Sequence, residues 1–234
     1  MKAIVTGASS GIGRNMAIYL GELGYDLILV SRDINRLKET ASKIKTEVEI
    51  YPADLTNKEN CFKLYDKYKN EEIELLVNGA GFGLFGNTWE TDIDKEMEMI
   101  NLNIMSLHIL TKLFLSDFVK RDSGYILNVS SASAFQPGPL MATYYSTKCY
   151  VYHLTLAIYE ELKQMKIWML WKRNTVPSAW WRIILPLRRS RRMPFITLSL
   201  RRRNCLPSAS LPCGSVMRTD ARFILLAQIV IILR

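Results

Sequence analysis

Lys2-Ala-Ile-Val-Thr-Gly-Ala-Ser-Ser-Gly-Ile-Gly13 is a short β-branched apolar run that breaks into a turn carrying Gly7, Gly11 and Gly13. Helix-like spacing follows, with apolar residues at Met16, Ile18, Leu20 and Leu23. A strand that ends in a glycine-rich turn and opens a helix is the setting in which such a turn holds a dinucleotide. The glycines permit the tight turn, and a pyrophosphate can then approach backbone N–H groups at the positive end of the helix. Gly7, Ser9, Ser10, Gly11, Ile12 and Gly13 are therefore candidate cofactor contacts. A glycine-rich turn that holds no ligand is the blander reading.

Outward from this turn, β-branched runs alternate with amphipathic stretches, the grammar of βαβ units and a parallel sheet. Strands are predicted at about 2–6, 26–31, 48–53, 74–77 and 124–130. The strongest helical periods run from about Asp92 to Lys120 and from about Ala142 to Lys166. The fold class that follows is α/β, a Rossmann-type doubly wound parallel sheet in three αβα layers.

At the end of the second strand an acidic residue would bond a ribose 2′-hydroxyl; the chain instead reads Ser31-Arg32-Asp33. Arg32 suits a 2′-phosphate, because a guanidinium makes charge-assisted bonds to a dianion that a hydroxyl cannot return. Asp33 reads as the N-cap of the next helix. NADP is accordingly the cofactor expected. Tyr144 and Lys148, four apart, share one helix face. An ammonium beside a phenol favours the phenolate, which makes Tyr144 a candidate general acid/base. Ser131, 13 residues upstream of Tyr144, can bond a carbonyl oxygen as charge develops on it.

Taken together, these residues resemble the short-chain dehydrogenase/reductase family over residues 1 to about 167. The family pattern TGxxxGxG matches Thr6 to Gly13; Asp54, followed by Leu55, matches the Asp that contacts adenine; Asn78-Gly79-Ala80-Gly81 matches the NNAG motif, with Gly79 in place of the second Asn. The resemblance implies a catalytic set of Asn103, Ser131, Tyr144 and Lys148, and cofactor contacts that add Asn78, Ala80, Gly81, Tyr144 and Lys148. Tyr145 rivals Tyr144, but only Tyr144 has Lys at +4; Asn101 rivals Asn103, which is preferred because Thr111 falls eight residues after it. The implied reaction passes a hydride between nicotinamide and a carbonyl carbon, with Tyr144 moving the proton, Ser131 steadying the oxygen, Lys148 on the nicotinamide ribose and Asn103 holding a water that links Lys148 to solvent. Phe82, Phe85, Phe135 and Met141 suggest an apolar substrate pocket. The family's sixth strand, Pro-Gly turn, lid and seventh strand have no counterpart after Ile167, so the last two strands are expected to be missing.

Composition changes at the same place. Residues 1–166 hold 18 Lys+Arg against 21 Asp+Glu, whereas residues 167–234 hold 13 against one acidic residue, Asp220. The formal charge of +9 thus belongs to residues 168–234, read as a basic irregular tail rather than a domain. Arginine clusters at 188–192 and 201–203 interrupt every candidate period there. Such a switch from Lys/Glu to Arg/Trp usage fits an out-of-frame reading of an A-rich coding sequence. Phe223–Leu233, 11 residues long, is short of the roughly 20 a membrane helix needs. Cys61, Cys149, Cys205 and Cys213 form no metal-ligand spacing with His108 or His153, so no metal is expected. No charged and apolar leader precedes Lys2, which makes the cytoplasm the default compartment.

The expected protein is an NADP(H)-dependent oxidoreductase acting on a small-molecule carbonyl or alcohol, without specific nucleic-acid or membrane partners. The helices at about 92–120 and 142–166 are candidate surfaces for a homo-oligomer. Its rivals are a nucleotide-binding chain that has lost catalysis and a basic protein whose tail binds nucleic acid or lipid.

Overall fold

The computed structural model describes residues 1–164. Strands β1 (Lys2–Thr6), β2 (Asp26–Ser31), β3 (Val48–Pro52), β4 (Ile73–Asn78) and β5 (Tyr125–Asn128) form where the sequence predicts them. They pair in parallel in the order β3-β2-β1-β4-β5. β5 is shorter than expected; Gly124 ahead of it takes a φ of +139°, outside extended strand backbone. Among the described residues β5 forms one edge of the sheet and β3 the other.

Both sheet faces are covered. Leu27 to Val30, the middle of β2, are each at most 1% exposed, as expected of parallel strands buried on two sides. The two-residue period of the strands divides the core. Ala3, Val5, Leu27, Leu29, Leu75 and Val77 face helices α1 (Gly11–Glu22) and α2 (Ile34–Ala41). Ile4, Ile28, Val30, Leu76 and Ile126 face α3 (Lys58–Tyr68), α5 (Leu107–Lys120) and α6 (Ala142–Gln164).

The expected helix at 92–120 is two α-helical pieces joined in phase-shifted fashion: α4 (Ile93–Ile100), a π-helical turn at Asn101–Ser106, and α5. Asp92 caps its start, accepting from the backbone N–H of Asp94 at 2.8 Å. The stretch Ile93–Lys120 is long and apolar enough, by length and composition, to cross a membrane, a feature the sequence reading passes over. Leu110, Phe114 and Phe118 from it are buried in the core against α3.

The register brings the strand ends into line. Thr6 lies opposite both Val30 and Asn78, and Asn78 opposite Asn128. Every loop that carries a candidate residue therefore leaves the same rim of the sheet, the carboxyl edge where open α/β sheets bind ligands. The basic tail, the arginine clusters, the run Phe223–Leu233 and Cys205 and Cys213 lie outside the described residues.

Candidate active site

At the first turn Gly7 (φ +71°) and Gly11 (φ +53°) occupy left-handed backbone that favours glycine. The Gly7 N–H donates to the Val30 carbonyl at 2.9 Å, and a β-carbon on Gly7 would stand 2.8 Å from the backbone of Ala80. Gly11 differs: nothing lies within 4 Å of where its β-carbon would be. Ser10, the N-cap of α1, makes no side-chain capping bond, and no acidic residue occupies the first turn of that helix. Free N–H groups and an open glycine face at a helix N-terminus are what a pyrophosphate requires. The turn fits the dinucleotide expected of it.

The Ser31 hydroxyl donates to Ser9 Oγ at 2.8 Å, which ties this turn to the end of β2. Arg32 follows there with its side chain 62% exposed, and its closest carboxylate is Asp54 Oδ2 at 4.0 Å. That approach between two solvated groups contributes little and leaves the guanidinium available. Asp33 is engaged as the N-cap of α2, accepting from the N–H groups of Asn35 and Arg36 at 3.0 and 3.1 Å. Asp54 Oδ1 accepts from the N–H and hydroxyl of Thr56 at 3.0 and 2.8 Å, which fixes the carboxylate at the end of β3. The Leu55 side chain is in the core, so only its backbone can meet a ligand.

Beyond β4 the Asn78-Gly-Ala-Gly81 segment is hung from β1. Thr6 Oγ1 accepts from the N–H groups of Gly79 and Ala80 at 3.1 and 3.2 Å and donates to the Val77 carbonyl at 3.2 Å. At Gly79, where the family pattern has a second Asn, a β-carbon would come within 2.9 Å of the Thr6 carbonyl, so an Asn here would need the backbone to shift. The Asn78 side chain points into the core, donating to Thr111 Oγ1 at 3.0 Å and to Asn128 Oδ1 at 2.9 Å. It shapes the crevice from behind, and its carbonyl is taken by the Val129 N–H at 3.1 Å.

Tyr144 and Lys148 are carried on the first two turns of α6. Lys148 is buried, its Nζ 5.8 Å from the centroid of the Tyr144 ring and 3.0 Å from the Val129 carbonyl to which it donates. Burial pushes its ammonium down to about 8 from 10.5, since the charged form loses hydration. A β-carbon on Gly81 would stand 3.6 Å from that Nζ and 2.8 Å from Asn103 Oδ1, so the glycine marks where Asn103 and Lys148 converge. Asn103 sits in the π-helical turn, buried; its Oδ1 accepts from Phe82 N at 3.0 Å, and its Nδ2 donates to the Phe82 carbonyl at 2.8 Å and to Thr147 Oγ1 at 3.1 Å. Ser131 begins a 3₁₀ turn and accepts from both Ser133 N (3.2 Å) and Ser133 Oγ (2.7 Å). Those two bonds use both acceptor positions of its oxygen and leave its hydrogen to donate outward. The ring of Tyr145, by contrast, packs on Gly138.

The structure thus gathers Asn103 and Lys148 about Gly81 and Tyr144 against Gly83, with Ser131 joined to Lys148 through Val129 and Ser130. Sequence reasoning misses Thr6, Thr147 and Ser133, whose hydroxyls hold these groups in place; Thr6 alone had a signal, as the first letter of the turn motif. Thr111, used above to choose Asn103, bonds Asn78 and Asn128 instead. Of the four apolar residues proposed for the pocket, Met141 lines a depression together with Leu84, Met99 and Leu140. Phe85 and Phe135 are 72% and 58% exposed, Phe135 lying edge-on to Tyr152 at 4.8 Å.

Residues 1–170 match the short chain dehydrogenase family. A very-long-chain 3-oxoacyl-CoA reductase of Rattus norvegicus is 33% identical over 175 residues, 71% of this chain and 56% of the relative. The chain thus spans little more than half the length of this curated relative. A short-chain dehydrogenase from Sphingobium yanoikuyae, solved in complex with NADPH, superposes with a TM-score of 0.67 at 31% identity over 70% of this chain and 66% of its own. A metagenomic short-chain oxidoreductase in complex with NADP gives 0.64 at 28% identity, over 70% and 77%.

Proposed function

This chain belongs to the short-chain dehydrogenase family, and from that premise we propose that it is an NADP(H)-dependent oxidoreductase acting on a carbonyl or alcohol. The observation that carries the reading is the buried Lys148 ammonium beside the Tyr144 ring, at the rim where the glycine turn and the Asn78–Gly81 segment meet. The Tyr144 hydroxyl is the group that takes or returns the proton, with the Lys148 ammonium beside its ring. Ser131 directs its free hydrogen toward the substrate oxygen. The Asn103 amide, tied to the Phe82 backbone through both its oxygen and its nitrogen, stands beside Lys148 at Gly81. When bound, the nicotinamide supplies or takes up the hydride. Arg32 supports the phosphorylated cofactor, as do the NADP(H) complexes of two relatives.

Oxidation of NADPH by a panel of alkyl and aryl ketones tests this directly; Tyr144→Phe is expected to abolish turnover while cofactor affinity stays within about twofold. Turnover that survives in Tyr144→Phe overturns the assignment. A second reading, nucleotide binding without turnover, is favoured by the change of composition after Ile167. NADPH binding with no oxidation across the panel selects it. Self-association through the helices at about 92–120 and 142–166 belongs to the same proposal, supported by the exposed Tyr150 and Leu156 on α6.

A further inference from the structure

Glu96 lies on α4, outside every motif, yet its carboxylate is shared between two segments that flank the catalytic tyrosine. Oε1 accepts from the hydroxyl of Thr91, at the end of the loop that follows Gly83. Oε2 accepts from the hydroxyl of Thr143 at 2.9 Å, on the residue immediately before Tyr144. The same two segments meet again where the Gly86 N–H donates to the Leu140 carbonyl at 2.8 Å. Both residues of that contact are in unusual backbone, Gly86 at φ +155° and Leu140 at φ +66°. The left-handed position costs a residue with a β-carbon about 1 kcal/mol or more, so contacts around it must hold it. A small depression is lined by the residues so joined, Leu84, Gly86, Thr91, Glu96, Leu140 and Thr143, the last of them adjacent in sequence to Tyr144.

We propose that Glu96 is a positioning residue that clamps the 84–91 loop onto the start of α6, setting the seat of Tyr144 and the arrangement of the loop beside it. Two charge-assisted bonds from one carboxylate tie the 84–91 loop to the first turn of α6 in a single arrangement. Glutamine can keep the clamp, since its amide oxygen accepts from one threonine while its NH₂ donates to the other. Alanine can keep neither bond. The catalytic arm rests on the oxidoreductase reading; the clamp itself does not.

Amide hydrogen exchange on the full chain tests the clamp without any turnover. In Glu96→Ala the amides of Gly86, Met141 and Tyr145 are expected to exchange faster together, by about tenfold or more, as for loss of a bond to a charged group. Thr143→Val, which removes one bond only, should speed the same amides less. NADPH affinity should stay within about twofold, while KM for a ketone rises about tenfold and Glu96→Gln recovers most of it. Exchange that is unchanged, or that rises in one segment alone, overturns the proposal; so does a matching loss of NADPH affinity, which would mean general loosening. A wild-type chain with no ketone turnover sinks the oxidoreductase reading and leaves exchange to decide the clamp.

Discussion

Lys148 shows how a single buried charge ties stability to pH. Above its ordinary value of 10.5 the side chain is neutral in folded and unfolded chains alike, and its burial carries no charge penalty. As pH falls from 10.5 towards 8 the unfolded chain takes up the proton first and stability is lost; below about 8 the folded chain is charged too, and the loss is complete. Lys148→Met cannot take up that proton. Its stability relative to wild type should be greatest below pH 8, by on the order of 2–3 kcal/mol less the lost bond to Val129, and the difference should vanish by 10.5. Thermal melts of both proteins across this range check the sign; a difference that grows with pH refutes it. Tyr145 permits a sharper contrast. Its ring is a packing element against Gly138, so Tyr145→Phe should retain most of the turnover that Tyr144→Phe removes. At the cofactor end, Arg32→Ala should weaken NADPH by about 1.5–3 kcal/mol and leave NADH unchanged. Calorimetry with both nucleotides decides it, and equal losses refute the 2′-phosphate contact.

Among elements, the joint of β4, β5, α5 and α6 is a buried polar network. Asn128 accepts from Asn78 Nδ2 and Thr111 Oγ1 at 2.9 and 3.2 Å and donates to Thr155 Oγ1 at 3.1 Å. Asn128→Leu leaves donors on two neighbours unmatched and should cost about 2–3 kcal/mol in urea unfolding, with the slope unchanged. A loss below about 0.5 kcal/mol would mean that the network relaxes freely. The strands were legible because each is built on a short run of β-branched and other apolar residues, and Leu27 to Val30 can be little else. Asp33 was legible as a cap because its neighbours Asn35 and Arg36 supply the N–H groups within the same short stretch. The π-helical turn was not: Asn101 to Ser106 offers apolar residues at spacings an α-helix also tolerates, and the wider turn is set by Asn103 reaching Phe82 and Thr147. Glu96 was silent for the same reason, its partners Thr91 and Thr143 lying on separate elements.

For the molecule as a whole, the sheet order puts the first strand made at the centre and pairs it on one side with its nearest sequence neighbour. Amides of β1, β2 and β4, bounded by strands on both sides, should exchange slowest of all, and those of β3 and β5, the edges among the described residues, faster. Exchange mass spectrometry resolves these peptides, and protection greatest at β3 would contradict the topology. The same order has a consequence in time. β1 can recruit β2 almost at once, but its other edge waits for β4, whose Asn78 pairs with Thr6. At about 5–20 residues per second, a ribosome takes on the order of 5–15 s to supply that partner. Throughout that interval the nascent chain displays an open apolar strand edge, so cellular yield should depend on how fast the stretch between Thr6 and Asn78 is translated.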